Sequence, residues 1–504
     1  MSLMAIDIGT THCKVGLFNS NGFPLKIVFQ PMHTQYSAVE GSYFDPDELI
    51  RLINDLILEV LSADTDKVDA VGITSMAESG ILVDKKTGRA VSKILPWFET
   101  DSQTVVKKIT SQCEPLECYT KFGLKATYKA SLTKILRIKE KFNLSLQDKI
   151  WLSVADFVGW WLTGNFQTDV SLACRTLAFR LDQREWDREW LKSWGLPEDL
   201  FPPAFESGKP MGGIKRTDLS LDVGTPVSIC GHDHICAAIS MGAVNRGSVF
   251  DSIGTAEILI GAMPQRPLTA LDFDNGLLCG CHTIPDMGYW LGGISSSGGS
   301  IEWFRKLINL PRQDYKDLEK LILSAPDEPT KLLYYPYLLG SSSPHTQTSA
   351  KAAIIGLTAS HTSADVYKAI LEGTAFELEV IRRAGEKMSS EKITTLMSAG
   401  GGSRNQTWMQ IKADVTGCDI RVAAQPEATL LGAAILTGIG NGIFQDLNDA
   451  YANIHSHQSF ITYTPNSEKH QTYQDIFEHG YLAFQVPIRK YGHWVEQDRR
   501  FNDT

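Results

Sequence analysis

The feature that most constrains the fold of this chain is a pattern that occurs twice, about half the chain apart. One apolar stretch runs into Asp7-Ile8-Gly9-Thr10-Thr11, and another runs into Asp251-Ser252-Ile253-Gly254-Thr255. Each copy predicts a buried strand that ends in a carboxylate, followed by a Gly-Thr turn and a second strand. Because internal similarity describes a whole architecture, the repeat predicts two related halves.

A Gly-Thr turn of this kind can hold phosphate. Glycine lets backbone N–H groups approach an anion, a threonine hydroxyl adds a donor, and a carboxylate at the strand end can orient Mg²⁺. Two such turns that face each other would hold a nucleoside triphosphate from both sides. A pair of ordinary hairpin turns is the alternative, since Gly-Thr is a common dipeptide.

Composition narrows the class of protein. The chain has 504 residues, of which 43% are hydrophobic and 21% charged, as in a large globular enzyme. Its formal net charge of -10 disfavours a nucleic acid or an anionic membrane as partner. The nine cysteines are dispersed without CxxC modules, and no apolar run is long enough to span a bilayer, so we expect a cytoplasmic protein with reduced thiols.

Hydrophobic periodicity predicts an open mixed α/β sheet in the first half. Strands are expected near residues 3–7, 13–18, 25–29 and 68–73, and Asp45-Pro46 predicts the start of a helix. The strand pattern restarts at 247–260.

In the second half, a long helix capped by Thr362 or Ser363 is expected to lead to a strand at 393–397. We place domain boundaries near 245 and 455. They give an N-terminal domain over 1–245, a C-terminal domain over 246–455 and a tail over 456–504, with a closing helix expected at 467–484.

Two further motifs carry chemistry. Gly231-His232-Asp233-His234 follows an apolar strand, and a carboxylate at this place suits a general base for a hydroxyl substrate. Metal binding by the two histidines stays open as a weaker alternative.

Gly400-Gly401-Gly402 follows the strand at 393–397 and precedes a helix, where a ligand can lie against backbone. The run does not fit the dinucleotide-binding Gly-x-Gly-x-x-Gly pattern, which disfavours a nicotinamide dehydrogenase.

Taken together and in order, these motifs resemble the FGGY carbohydrate kinases, the family of glycerol kinase, xylulokinase, ribulokinase and gluconate kinase. The resemblance covers nearly the whole chain. It also includes Leu162-Thr163-Gly164, Thr168-Asp169, Gly298-Gly299-Ser300, Tyr335-Pro336-Tyr337 with Ser343-Pro344-His345, and Ser403-Arg404-Asn405. It implies an actin-like ATPase fold of two ribonuclease-H-like domains, with ATP and sugar meeting in the cleft between them.

Residue by residue, the resemblance implies a complete kinase site. Asp7 would orient Mg²⁺, and Asp233 would be the catalytic base. The implied nucleotide contacts are Thr10, Thr11 and Lys14 at the terminal phosphates, Gly254 and Thr255 at the β- and γ-phosphates, Gly298 and Glu302 near the ribose or phosphates, and Gly401 and Asn405 at adenosine.

The acceptor region departs from the family pattern. Glu78 matches an acidic residue of the family, but Ala77 replaces an arginine; in the stretch that starts at Trp97, Glu99 replaces aspartate and Asp101 replaces arginine. The loss of positive charge predicts a small neutral ketose or polyol held by Glu78, Trp97, Asp101 and Asp233, with a xylulose-like acceptor as the best single candidate. A gluconate-type aldonate kinase is the alternative, as is an actin-like nucleotide switch or sugar sensor without catalysis. A homodimer is left open.

Overall fold

Two mixed β-sheets, one in each half of the chain, form the framework of the protein. The structure is a computed structural model that describes residues 2–62, 67–245, 247–310, 315–424, 427–454 and 459–498. The predicted domain boundaries fall at residue 246 and within 455–458, which lie outside the described residues.

The described residues of the first half form fourteen strands and eight helices. The strands are β1 Ser2–Ile8, β2 His12–Asn19, β3 Pro24–Pro31, β4 Gln35–Ser37, β5 Gly41–Tyr43, β6 Val68–Ser75, β7 Gly80–Asp84, β8 Lys149–Ser153, β9 Thr168–Asp169, β10 Phe179–Arg180, β11 Glu185–Trp186, β12 Ala204–Phe205, β13 Pro210–Gly213 and β14 Pro226–His232. The helices are α1 Pro46–Leu61, α2 Gln103–Gln112, α3 Pro115–Phe122, α4 Ser131–Lys141, α5 Val154–Thr163, α6 Val170–Ala173, α7 Arg188–Ser193 and α8 Asp233–Ser240.

The second half begins with a strand and ends in helices. Its strands are β15 Ser248–Ile253, β16 Glu257–Pro264, β17 Leu278–Cys281, β18 Met287–Ile294, β19 Leu333–Tyr335, β20 Ala353–Ile355, β21 Thr395–Ala399, β22 Asp419–Ala423 and β23 Phe460–Tyr463. Its helices are α9 Ala270–Asn275, α10 Gly298–Leu307, α11 Tyr315–Leu323, α12 Ser363–Ser389, α13 Gln406–Thr416, α14 Ala428–Gly440, α15 Leu447–Ile454, α16 Ser467–Ile476 and α17 Leu482–Gln497.

The two sheets share one plan around the repeated motif. The first has the order β13-β14-β6-β1-β2-β3, and the second has the order β17-β18-β16-β15-β21-β22-β23. Strand β1 pairs antiparallel with β2 and parallel with β6, and β15 likewise pairs antiparallel with β16 and parallel with β21. The predicted mixed α/β architecture is therefore confirmed.

Local signals account for the main helix boundaries. The Asp45 carboxylate accepts hydrogen bonds from the backbone N–H groups of Asp47 and Glu48, and Pro46 is the first residue of α1, as predicted. Thr362 caps α12 in a reciprocal arrangement with Asp365. These caps satisfy N–H groups that a helix start leaves unpaired.

Helix α14 returns from the second half to pack on the first sheet. Its residues share a core with Leu3 and Ala5 of β1 and with Cys230 of β14. It crosses α8 so closely that a Cβ at Gly432 would lie 1.7 Å from the carbonyl oxygen of Cys236. Glycine is required at this crossing because any side chain would push the two helices apart.

The chain closes with helices on the second half, as predicted. The last helical segment runs as α16, a π-helical turn over Phe477–Tyr481 and α17, so it extends beyond the predicted end at residue 484. Tyr481 anchors it, because its hydroxyl donates to Glu377 Oε2 at 2.6 Å. Across the described ranges, none of the helices is long and apolar enough to traverse a bilayer. All nine cysteines are free and buried.

Candidate active site

We call the turns at Gly9-Thr10 and Gly254-Thr255, which are predicted to hold phosphate, the first and second phosphate turns. Asp7 lies where the first of them begins. It is the next-to-last residue of β1 and is 6% exposed, and the turn is closed by a 3.0 Å hydrogen bond from the N–H of Gly9 to the carbonyl of His12. Its buried Oδ1 accepts no hydrogen bond from any residue that the structure describes. Burial, with a contribution from Asp233, raises the pKa of Asp7 to about 8. An unpartnered buried carboxylate oxygen is the kind of ligand that Mg²⁺ takes, so the residues present fit the implied ion.

Side chains of the first turn contact both the acceptor side and the second half of the chain. Thr10 Oγ1 accepts a 2.9 Å hydrogen bond from Trp97 Nε1, which ties the predicted acceptor residue Trp97 to the phosphate turn. Thr11 is exposed. Lys14 Nζ lies 2.5 Å from Glu427 Oε2, with side chains 28% and 21% exposed. Lys14 therefore already binds an anionic group next to the turn.

The second phosphate turn is built on the start of α10. Gly254 and Thr255 are exposed, and their carbonyl oxygens accept hydrogen bonds from the N–H groups of Gly298 and Gly299 at 3.2 and 2.9 Å. A Cβ at Gly298 would lie 2.4 Å from the Gly254 carbonyl oxygen. Gly298 therefore permits the helix to support the turn, while its contact with nucleotide stays a prediction.

The carboxylates of the two repeats differ in their surroundings. Asp251 Oδ2 lies 3.0 Å from Lys412 Nζ, which also lies 2.6 Å from Glu257 Oε1. Ser297 donates to Glu257 and Ser398 donates to Asp251, at 2.5 and 2.9 Å. We call Asp251, Glu257 and Lys412 the buried ion triad. Because Asp251 is engaged in this triad, Asp7 is the repeat carboxylate better placed for a metal.

The remaining nucleotide candidates lie on α10 and at the start of α13. Glu302 Oε2 is paired with Arg305 at 2.9 Å. Asn405 caps α13 by accepting a 3.0 Å hydrogen bond from the N–H of Trp408. A Cβ at Gly401 would meet no atom within 4 Å. This open space beside a helix start leaves room for a ligand, and the adenosine contacts stay a prediction.

Asp233 is the first residue of α8, directly after β14, as the sequence predicted. Its side chain is 20% exposed, and its Oδ1 accepts a 2.7 Å hydrogen bond from the N–H of His234. Burial raises the pKa of Asp233, partly offset by His234, and Glu78 adds to the increase. His232 Nε2 lies 3.2 Å from Asp233 Oδ1, and burial holds the pKa of His232 well below its ordinary value. His232 is therefore neutral at pH 7.

The same three residues could also hold a metal. One ligand atom from each of His232, Asp233 and His234 lies within 4.8 Å of the others. The geometry is therefore compatible with metal binding. A metal at this place would occupy the carboxylate of Asp233, which is the predicted general base.

On the acceptor side, the structure adds a cation that sequence reasoning missed. The Glu78 Oε1 atom accepts hydrogen bonds from Arg175 Nη2 and, at 2.9 Å, from Arg175 Nε. The third guanidinium nitrogen, Nη1, is buried and has no hydrogen-bond partner within the described ranges. A signal was present, because Arg175 is a lone charge in the apolar stretch from Leu172 to Phe179.

Lys129 is a second cation that was missed. Its Nζ lies 5.1 Å from the ring centroid of Trp97. Burial lowers the pKa of Lys129, and the charge of Glu78 opposes that change. Ala77 and Asp101 supply no cation, but Arg175 and Lys129 do, so the surroundings of Glu78 and Trp97 carry positive charge that the sequence argument did not count.

The Asp101 carboxylate is paired with cations of α4. Its Oδ2 accepts a 2.7 Å hydrogen bond from Arg137 Nη2 and lies 3.6 Å from Lys141 Nζ, with the side chain 44% exposed. Arg137 also lies 3.7 Å from the buried Glu99. Acceptor binding by Asp101 stays a prediction, and in this structure its carboxylate ties α4 to the segment before α2.

Comparison with known proteins covers almost the whole chain. The model of the FGGY family of carbohydrate kinases, N-terminal domain, matches residues 2–240, and that of the C-terminal domain matches residues 251–440. A xylulose kinase of Staphylococcus epidermidis is 26% identical over 94% of this chain and 95% of its own length. A glycerol kinase of Clavibacter michiganensis is 27% identical over 98% and 99%.

Solved structures agree on the fold. A gluconate kinase from Lactobacillus acidophilus superposes with a TM-score of 0.89 at 20% identity, over 98% of this chain and 99% of its own. A xylulose kinase from the same species gives 0.88 at 20% identity, over 98% and 99%. The residues that match the two family models include the strands that carry the two phosphate turns. The chain is thus a sugar kinase with a two-domain actin-like fold, and it belongs to the FGGY family of carbohydrate kinases.

Proposed function

We propose that this chain transfers the γ-phosphoryl group of ATP to a primary hydroxyl of a small polyhydroxylated acceptor, with Asp233 as the base. The observation that carries the proposal is the position of Asp233. His232, the last residue of β14, and Ile8, the last residue of β1, both pair with Ser75 at the end of β6. Asp7 of the phosphate turn, Asp233 and Glu78 of the acceptor side therefore lie at neighbouring strand ends of one sheet. A base for phosphoryl transfer has to lie between the phosphate and the acceptor, and Asp233 has one neighbour of each kind.

The chemical step follows from these positions. The acceptor oxygen forms a bond to the γ-phosphorus as its proton moves to the Asp233 carboxylate. The bond from the γ-phosphorus to the bridging oxygen breaks, and its electron pair stays on ADP. Backbone N–H groups and hydroxyls of Thr10, Thr11 and Thr255 are offered to the terminal phosphates. The N–H of Gly254 donates to the carbonyl of Ala256 at 2.9 Å, so Gly254 shapes the turn beside them. Mg²⁺ held by Asp7 would neutralise phosphate charge.

Lys14 needs to change partner for this role. In the structure its ammonium is paired with Glu427, which has a φ of 80° and directly precedes α14. Few residues other than glycine adopt this left-handed backbone, and such strain is common at functional sites. We infer that the terminal phosphates of ATP take the place of Glu427 on Lys14.

The chemical class of the acceptor rests on separate arguments. The xylulose and glycerol kinases among the relatives support the predicted neutral ketose or polyol, with a xylulose-like acceptor as the best single candidate. Arg175 and Lys129 favour the alternative, a sugar acid. A non-catalytic nucleotide switch or sugar sensor would need no base, so the test below separates it from the kinase.

Asp233→Asn tests the proposed function. The variant keeps the size of the side chain but removes its basicity, so we expect turnover to fall ~10²–10⁴-fold. ADP release measured with a coupled assay gives the rate, and calorimetry with ATP is expected to give unchanged affinity. Asp218→Asn, at a surface position, is the matched control. Turnover of Asp233→Asn close to that of the control would refute the assignment.

A further inference from the structure

We propose that the acceptor carries a carboxylate and that Lys129 binds it, so that the substrate is a sugar acid of the aldonate class. This inference rests on the proposed kinase function and specifies its acceptor. It follows from the placement of Lys129, from the charge balance around Glu78 and from the way the Lys129 segment is fixed.

Lys129 is a half-buried cation without an anionic partner. Its Nζ stands over the ring of Trp97, and Trp97 in turn donates to Thr10 of the phosphate turn. Throughout the described parts of the chain, no carboxylate lies within 4.0 Å of this ammonium. An ammonium withdrawn from water is costly unless it is paired. A ligand anion would supply the missing partner.

Glu78 does not neutralise the charge of Lys129. Glu78 is held by two nitrogens of Arg175, so these two side chains neutralise each other. The charge of Lys129 is then left uncompensated, and Arg175 Nη1 is left without an acceptor. Two cationic donors with unused hydrogen-bonding capacity match the two oxygens of a carboxylate. The hydroxyls of a neutral polyol could accept hydrogen bonds but would leave the charge unbalanced.

The backbone around Lys129 is fixed by hydrogen bonds from side chains of α4. Lys134, on α4, donates to the carbonyl oxygens of Tyr128, at 3.2 Å, and of Lys129. Its side chain is buried, and Thr133 Oγ1 adds a 3.0 Å hydrogen bond to the Tyr128 carbonyl. A cation presented on an anchored backbone is preorganised for recognition, which reduces the entropic cost of binding.

The test compares acceptors that differ only at one carbon. Erythronate, xylonate and gluconate are assayed against erythritol, xylitol and glucitol, with xylulose included, by ADP release in the presence of Mg²⁺ and ATP. Each pair exchanges a carboxylate for a CH₂OH group on the same carbon skeleton. We expect kcat/KM for at least one aldonate to exceed that of its polyol partner and that of xylulose by ~10-fold or more.

Variants then assign the preference to a residue. Lys129→Met removes the charge at similar length, and Lys129→Gln keeps a hydrogen-bond donor if the methionine variant folds poorly. Both are expected to lose ~10–100-fold in kcat/KM for the aldonate, mostly through KM, and to lose much less for neutral acceptors, so that the preference for the aldonate falls. Lys125→Met is the matched control, because Lys125 lies on the same segment with its Nζ over the Phe273 ring, 4.5 Å from the centroid.

Each outcome has a defined meaning. A neutral acceptor that is preferred in the wild type overturns the inference and leaves the kinase function standing. Equal losses for every acceptor in Lys129→Met would place Lys129 at the phosphates and also overturn the inference. If no sugar, polyol or sugar acid stimulates ADP release, the proposed function itself fails.

Discussion

The buried ion triad makes a sharp prediction about stability. Lys412→Met keeps the length of the side chain but removes the only positive charge of the triad. The side chains of Lys412, Asp251 and Glu257 are 0%, 0% and 1% exposed. The variant therefore leaves two carboxyl groups in the protein interior, and among the described residues only the side chains of Ser297 and Ser398 donate to them.

The expected magnitude follows from burial. Removal of one partner from a buried ion pair costs ~3–5 kcal/mol in the free energy of unfolding, because the remaining charge is uncompensated. In domains of this size, 1 kcal/mol corresponds to about 2–4 °C in Tm. We therefore expect a decrease of roughly 6–20 °C. A triple variant that adds Asp251→Asn and Glu257→Gln removes every charge and is expected to recover most of this loss.

Differential scanning calorimetry of the full chain measures the effect. The control is Lys121→Met, which removes a surface lysine paired with Glu117 at 2.8 Å and is expected to cost under about 1 kcal/mol. A decrease in Tm no larger than that of the control would refute the electrostatic argument. A triple variant no more stable than Lys412→Met would refute it as well, since packing rather than charge would then account for the loss.

Three further predictions concern nucleotide binding and pH. Gly401→Val is expected to fold normally, since a Cβ there meets no atom within 4 Å, and to weaken ATP more than acceptor binding; unchanged ATP affinity by calorimetry would contradict the adenosine assignment. Thr255→Val removes a donor to the transferring phosphate and is expected to lower kcat ~10-fold or more; a change confined to the acceptor KM would move this turn to the acceptor pocket. Burial raises the pKa of Asp156 from its ordinary value of 3.8 to about 7. The folded chain keeps this proton while the unfolded chain releases it, so the contribution of Asp156 to stability is complete below about pH 4 and is lost as the pH rises to about 7; denaturant unfolding at several pH values checks the sign.

Signals that lie close together in sequence predicted the fold well. The repeated carboxylate and Gly-Thr motif identified the central strands β1 and β15, and Asp45-Pro46 located the start of α1. These features depend on residues within a few positions of one another, so periodicity and capping patterns report them directly. The position of Asp233 at a strand end was predictable for the same reason.

Long-range charge pairing was not predictable. Arg175 reaches Glu78 across 97 positions, and Lys412 reaches Asp251 across 161. Such contacts depend on how distant segments meet, and no local spacing encodes them. The sequence did contain a weaker signal for one of these pairs, because Arg175 is a lone charge in an apolar stretch. A lone charge of this kind is costly to bury unless it has a partner.

The close crossing of α8 and α14 fixes the position of Asp233 independently of the residues proposed to select the acceptor. Asp233 begins α8, Glu427 directly precedes α14, and the spacing between the helices is set by backbone at Gly432 and Cys236. In the proposed mechanism, the position of the base therefore rests on main-chain contacts. In the proposed acceptor site, the preference for an acceptor depends on side chains of other segments, at Lys129 and Arg175. A chain organised in this way can change the molecule it phosphorylates by substitution at those positions while its catalytic framework stays the same.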